Sequence, residues 1–147
     1  DLDGIAIQSA LKWSRDGRRL VARAGRWAPP DTPMTSPPAE EGVVIVDVRR
    51  GSVRWRSLAD TALAKATLLG PEAREEEPSG PGIATRRGAL EDVSWSPASS
   101  NTVRLALDIL GRWDLTESIE IWDWNLSTNT TEKLWSLAAS LKDTAGD

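Results

Sequence analysis

Hydrophobic and polar residues alternate along short segments of this chain, which is the pattern of β-strands with one covered face. The alternation is clear from Ile5 to Trp13, at Leu20 and Ala22, and from Val103 to Leu107. Stretches rich in Gly, Asn, Asp and Ser fall between the segments and permit tight antiparallel reversals. The pattern predicts eight strands, at 5–13, 19–24, 43–48, 52–58, 90–95, 102–109, 118–124 and 131–137.

The two halves of the chain repeat the same motifs in the same order. Trp-Ser occurs at 13–14 and 95–96, and Gly-Arg-Trp occurs at 25–27 and 111–113. Segment 44–48 then matches 120–124, and Trp55 matches Trp135. Because self-similarity of this length is typical of repeat architectures, each half is interpreted as one four-stranded antiparallel meander.

The repeated segments carry a family resemblance. Residues 13–20, Trp-Ser-Arg-Asp-Gly-Arg-Arg-Leu, resemble the Trp-Ser-Pro-Asp-Gly-Arg-x-Leu signature of WD-repeat and TolB-like β-propellers. Trp-Ser-Pro at 95–97 repeats its opening, and Ile-Glu-Ile-Trp-Asp at 119–123 resembles the third strand of a WD repeat. The resemblance covers about 5–58 and 90–138. It implies an all-β fold with two four-stranded antiparallel β-propeller blades.

The resemblance is to a divergent member of that family. A standard WD repeat opens with Gly-His, and its His joins a polar network, whereas this chain has no His. Two blades do not close a ring, because propellers have about four to eight, and two alone leave apolar faces and strand edges open to water. We therefore expect them to be part of a larger propeller, completed by further blades or by copies of the same chain.

The predicted organisation is blade one at 1–59, a linker at 60–89, blade two at 90–138 and a tail at 139–147. Blade one contains a proline-rich loop at 28–42, because the five prolines there remove amide donors that a central strand needs. A short helix is predicted over 59–69, before an acidic stretch rich in Pro and Gly. The linker is either a tolerated surface loop or a partner-binding segment.

Composition excludes several kinds of chemistry. The 147 residues carry a net charge of −4, which argues against a general grip on nucleic acid. Since Cys and His are both absent, there is no disulfide, thiolate zinc site or Ser–His–Asp triad. No apolar run approaches the roughly 18 residues of a membrane span. We predict no catalytic residue, cofactor or metal, no membrane partner, and a cytoplasmic location.

Tryptophan supplies the candidate binding residues, since the chain has eight Trp and neither Tyr nor Phe. Trp13 and Trp95 are expected to pack between neighbouring blades, and Trp55 and Trp135 to lie on outer strands. Tryptophan beside arginine at a strand end is typical of binding hot spots. Core packing and stacking on a sugar ring are the alternatives for these indoles. The candidate partner-binding residues are Arg26, Trp27, Arg112 and Trp113.

Two further motifs have structural and chemical readings. Asp47 and Asp123 are aligned in the repeat, where each is interpreted as capping a turn rather than as half of a catalytic pair. The sequons at 125–127 and 129–131 are interpreted as turn residues. Neither motif adds a catalytic site to the prediction.

The predicted function is a non-enzymatic scaffold for protein–protein interaction, forming a segment of a WD-like propeller. The alternatives are a Trp-based, lectin-like propeller assembled from several chains and the accessory propeller of a hydrolase. A lectin repeats the same Trp and polar residues in every loop. Here the loop after Trp27 is proline-rich and the loop after Trp113 is short and acidic, which favours protein partners.

Overall fold

Two antiparallel sheets make up most of the fold in this computed structural model, which describes residues 2–27, 33, 38–59, 61–67, 87–110 and 115–138. The first sheet contains β1 (Ile5–Ile7), β2 (Lys12–Trp13), β3 (Arg19–Arg26), β4 (Glu40–Asp47) and β5 (Ser52–Ser57). A short helix, α1 (Ala62–Thr67), follows it. The second sheet contains β6 (Arg87–Trp95), β7 (Thr102–Leu110), β8 (Thr116–Asn125) and β9 (Thr130–Ala138).

Both sheets are meanders in which consecutive strands pair, except that β1 and β2 both pair with β3. The strand orders are β1-β3-β4-β5, with β2 also on β3, and β6-β7-β8-β9. The prediction of an all-β chain with two antiparallel sheets is confirmed. The first predicted strand is split into β1 and β2, because Ser9 Oγ accepts the Arg23 amide at 2.8 Å where a continuous strand would offer a carbonyl.

Strand β4 begins at Glu40, inside the loop predicted at 28–42. Its first residue pairs with Arg26, so the ladder between β3 and β4 runs for the whole length of both strands. The proline content predicted a loop over 28–42, but the last proline within that segment is Pro38. Residues 40–42 therefore retain every amide donor that strand pairing requires.

The strand register shows that Trp13 and Trp95 occupy corresponding places. Trp13 lies across from Leu20, which is followed on the next two strands by Val46 and Val53. We call these four residues the first Trp row. In the second sheet, Trp95 begins an equivalent row, the second Trp row, which continues through Val103, Trp124 and Thr131.

The alignment of Asp47 with Asp123 is wrong by two residues. Asp47 and Asn125 are both the last residue of their strand, and each caps the following turn. Asp47 Oδ1 accepts the Arg50 amide at 3.0 Å, and Asn125 Oδ1 accepts the Ser127 amide at 3.0 Å. Asp123 instead forms an ion pair across the sheet with Arg104, at 3.0 Å. The sequence alignment matched the two residues because both are aspartates. The residues that correspond in the structure are those at the same distance from the following turn.

The hydrophobic core lies between the two sheets. The first sheet contributes one side of β3 and β4, and the second contributes its Trp-row side, with Leu63 of α1 and Leu58 closing one part. Trp95 and Trp122 pack against this cluster while partly buried. The buried members are Val21, Val43, Ile45, Leu58, Leu63, Leu90, Val93, Val103, Leu105, Leu107, Ile109 and Trp124.

The one helix in the described ranges has six residues. No helix in this part of the chain is long and apolar enough to cross a membrane.

Candidate functional site

Arginines of the first sheet cover the second Trp row. The Arg19 guanidinium lies 4.9 Å from the ring centroid of Trp95, and that of Arg56 lies 5.4 Å from the centroid of Trp124. Cations at this distance are attracted to the negative face of an indole. Arg56 also donates to the Leu126 carbonyl at 3.0 Å. Each arginine therefore closes the apolar contact between the sheets and satisfies a carbonyl or amide oxygen on the other side.

Further hydrogen bonds join the sheets along β2, β3 and β6. Trp95 Nε1 donates to the Lys12 carbonyl at 2.9 Å, so the indole has an acceptor although it packs against the core. Arg23 donates to the Leu90 carbonyl at 3.3 Å, and Lys12 Nζ donates to Asp92 at 2.6 Å. Because hydrogen bonds are directional, these contacts set the orientation of one sheet relative to the other, in addition to the apolar packing between them.

The ion pair of Asp92 makes stability depend on pH. Partial burial raises the pKa of Asp92, but the hydrogen bond from Lys12, the Val93 amide and nearby positive charges outweigh it and hold the pKa below 3.8. A folded-state pKa below the unfolded value adds stability above that value, which is lost as pH falls through the folded pKa. Because Asp92 is largely exposed, the effect is small, about 0 to 1 kcal/mol.

We expect Asp92→Asn to remove this contribution. The difference in free energy of unfolding between the parent and the variant should be largest above about pH 4 and shrink towards about pH 2. Urea unfolding across that range measures it, with Glu91→Gln at the exposed neighbouring position as a control. A difference that grows as pH falls would contradict the assignment.

The first Trp row is exposed where the second is covered. Trp13 is 58% exposed and Val53 is 45% exposed, whereas Val103 and Trp124 of the second row are both fully buried. No guanidinium of the described residues stacks on Trp13. The predicted packing against a neighbouring sheet is thus present at Trp95 and absent, in this part of the chain, at Trp13.

Other exposed apolar side chains lie at the same end of the first sheet as Trp13. Leu11 is 47% exposed and Val48, in the turn after β4, is 48% exposed. We call Leu11, Trp13, Val48 and Val53 the Trp13 patch. Exposed apolar residues that occur singly are ordinary, but a cluster at one end of a sheet indicates an interaction surface.

Two of the four candidate partner-binding residues lie within the described ranges. Trp27 is only 3% exposed, and a Cβ built on Gly25 would stand 3.0 Å from its Cζ3 atom. The arrangement at Trp27 therefore favours the packing alternative. Arg26 is half-buried, and its guanidinium lies 5.8 Å from the ring centroid of Trp55. Arg112 and Trp113 lie outside the described residues, and the binding role of the four stays a prediction.

A second feature, which the sequence reasoning missed, is a cleft of about 520 Å³ between the sheets at their short-turn end. Four arginines from β3, from the turn after β4 and from β5 line it, with Asp47 and the turns of the second sheet. Arg54 and Arg56 alternate along β5 next to Arg49-Arg50, which was the available signal. The arginine cleft is defined by Arg19, Arg50, Arg54 and Arg56.

Within the described ranges, no group of three or more acidic side chains is placed to hold a metal ion. The buried Glu120, 2% exposed, accepts the Trp122 indole N–H at 3.0 Å and lies 3.9 Å from Lys133 Nζ. Its contacts are those of a carboxylate satisfied within the fold. The two surface features that stand out are therefore the Trp13 patch and the arginine cleft.

Comparisons of the chain with protein-family models, with curated proteins and with solved structures find no match.

Proposed function

We propose that this chain is a non-enzymatic protein-interaction scaffold, a segment of a WD-like β-propeller whose Trp13 patch receives a further β-sheet. One observation carries the proposal. Equivalent rows of the two sheets differ in exposure, since Val103 and Trp124 of the second Trp row are fully buried between the sheets, while Trp13 of the first row remains 58% exposed. Repetition of the same docking contact along a tandem array is what repeat architectures use.

The energy available at the patch suits a protein interface. Burial of the exposed part of Trp13 contributes on the order of 3 kcal/mol, given about 25 cal/mol per Å² and the large area of an indole. Leu11, Val48 and Val53 add exposed apolar area at the same end of the sheet. A cluster built around one aromatic anchor is the usual composition of an interface hot spot.

The internal contact between the sheets specifies the chemistry of the partner. Trp95 receives a guanidinium from Arg19 above its ring and a carbonyl acceptor from Lys12. By equivalence, Trp13 should receive an arginine and a carbonyl from the next sheet. The position of the second sheet that corresponds to Arg19 is Thr102, because Ser14 and Ser96 pair with these two residues in the same way. The proposed occupant is therefore a β-sheet of different sequence, and not a second copy of this chain.

Site-specific photo-crosslinking tests the proposal. A benzoylphenylalanine placed at Trp13 should crosslink, in a lysate of the source organism, to an arginine-containing β-strand of another sheet, as mapped by mass spectrometry. The matched control carries the same probe at Trp135, which is 51% exposed on the second sheet. Crosslinks between two copies of this chain, or the same crosslinked peptides from both positions, would contradict the proposal.

The sugar-binding alternative gains no support from the indoles. Trp27 is buried. Of the equivalent indoles of Trp13 and Trp95, only that of Trp13 is open, because Arg19 covers the ring of Trp95. Titration of simple sugars followed by Trp fluorescence checks this alternative directly. We expect no saturable change, and a saturable one would favour the lectin-like function.

A further inference from the structure

The arginine cleft concentrates positive charge in a chain whose net charge is −4. Asp47 is the one carboxylate among its lining residues, against four guanidiniums. The cleft volume of about 520 Å³ lies inside the range of about 300 to 1,000 Å³ that is usual for small-ligand sites. Convergent like charges repel one another, so the arrangement favours an anion that neutralises them.

Among the described residues, the positive charge of the cleft is only partly balanced, by Asp47. Arg19 and Arg56 donate to neutral acceptors, the oxygens of Asn101 and Leu126 among them. Within the described residues, none of the four arginines forms an ion pair. Arg50 and Arg54 are exposed, and no described residue accepts a hydrogen bond from their guanidiniums.

Asp47 does not neutralise the cleft by contact with these guanidiniums. Its Oδ1 atom accepts the backbone amide of Arg50 at 3.0 Å, which holds the carboxylate in the turn. Ile45 and Leu126 line the cleft beside the arginines and add apolar contact. Arg50 and Arg54 are therefore the donors left for a ligand, with Arg19 and Arg56 as fixed charges behind them.

We propose that the arginine cleft binds a phosphate monoester group. The planar fork of a guanidinium donates two parallel hydrogen bonds to oxygens of one phosphate. A monoester carries about −1.5 to −2 charges at neutral pH, which matches several guanidiniums better than a single carboxylate or a phosphodiester. A phosphorylated side chain of a peptide and a small phosphorylated molecule both present this group.

The phosphate site is independent of the Trp13 patch. Arg54 and Arg56 pair across β4 with Ile45 and Val43, both of which face the core between the sheets. Trp13 lies in the row of Leu20, on the opposite face of the first sheet. Loss of one binding activity therefore leaves the other unaffected, and the two proposals fail separately.

Isothermal titration calorimetry in a phosphate-free buffer tests the site on the whole chain. The probes are a short peptide with one phosphoserine and neutral neighbours, the same peptide without phosphate, and inorganic phosphate. We expect the phosphopeptide to bind and its unphosphorylated form to bind at least tenfold more weakly. Inorganic phosphate binding as tightly as the phosphopeptide would support the site and show that the phosphate group alone supplies the affinity, as expected for a small phosphorylated ligand.

Paired substitutions locate the binding energy. Arg50→Gln combined with Arg54→Gln should weaken phosphopeptide binding by about tenfold or more, because charge-assisted hydrogen bonds are lost. Both side chains are exposed, so the variant should keep the parent circular dichroism spectrum. The control is Arg49→Gln, which removes one charge from the same turn at an exposed position outside the cleft lining. It should change the affinity less than about twofold.

Three results would overturn the proposal. The first is no binding of any phosphate probe at millimolar concentration. The second is an equal loss of affinity in Arg49→Gln and in the double variant, which would indicate a diffuse charge effect. The third is tighter binding of a single-stranded oligonucleotide than of the phosphopeptide, since that would assign the cleft to phosphodiesters of nucleic acid.

Discussion

We expect Trp124→Ala to lower the free energy of unfolding by about 3 to 5 kcal/mol, the range for large-to-small changes at buried aromatic positions. Trp124 is fully buried between the two sheets, and the substitution would leave a cavity there. It would also remove the hydrogen bond of 2.9 Å from Nε1 to Asn129 and the contact with the Arg56 guanidinium. The loss of packing and the loss of these polar contacts both lower the free energy of unfolding of Trp124→Ala.

Urea unfolding followed by circular dichroism measures the Trp124 effect. The matched control is Trp135→Ala on β9, where the indole is 51% exposed, and we expect a loss of about 1 kcal/mol or less. If Trp124→Ala does not fold, Trp124→Phe keeps most of the ring and should lose about 1 to 2 kcal/mol with the hydrogen bond. Equal losses at positions 124 and 135 would contradict the core placement.

The tryptophans show what the sequence pattern predicts well. Along β8, period-two alternation puts Trp122 and Trp124 on one face of the sheet and Asp123 on the other, where Asp123 pairs with Arg104. The Trp-Ser motif also predicted the equivalence of Trp13 and Trp95. These features are local, since a strand's alternation and its turns depend on residues near one another in the chain.

The same pattern did not predict which of the equivalent tryptophans a neighbouring sheet would bury. Trp13 and Trp95 have equivalent positions, yet a neighbouring sheet covers only Trp95, by means of Arg19 and Lys12. Burial depends on which surface comes to lie against a row, and alternation within one strand carries no information about that. The packing of Trp27 against Gly25 is a local contact. The Gly-Arg-Trp motif nevertheless did not predict it, because the motif is compatible with both an exposed and a packed indole.

The arginine cleft escaped prediction for a related reason. Its arginines come from β3, from the turn after β4 and from β5, and they meet because antiparallel pairing brings those ends together opposite the turn at Asn101. Arg54 and Arg56 alternate along β5, and Arg50 lies in the turn before it, so the sequence indicates only an exposed edge of the first sheet. Only the opposing sheet turns that edge into one side of a cleft.

We expect Gly42→Ala to lower the free energy of unfolding by about 3 kcal/mol, at the upper end of overpacking effects. A Cβ built on Gly42 would stand 2.0 Å from the carbonyl oxygen of Arg56 and 3.0 Å from the Cα atom of Ser57. Both contacts are with the backbone of β5, which cannot rotate away as a side chain does. Glycine in this strand permits the close approach of a neighbouring backbone.

The expected loss spreads beyond the methyl group itself. Moving β5 away from β4 displaces Arg56, whose guanidinium covers Trp124 and donates to the Leu126 carbonyl. The substitution should therefore loosen the contact between the sheets as well as the pairing of Gly42 with Ser57. Hydrogen exchange should show reduced protection at the Leu58 amide, which donates to the Glu41 carbonyl at 2.9 Å.

Gly17→Ala is the matched control for the Gly42 prediction. A Cβ at Gly17 meets no atom within 4 Å, but the backbone there has a φ of +70°, so the substitution costs about 1 to 2 kcal/mol through left-handed strain. Urea unfolding of both variants separates collision with a neighbouring strand from strain in a turn. If Gly42→Ala costs no more than Gly17→Ala and leaves the Leu58 amide protected, β4 and β5 do not approach as closely as the structure shows.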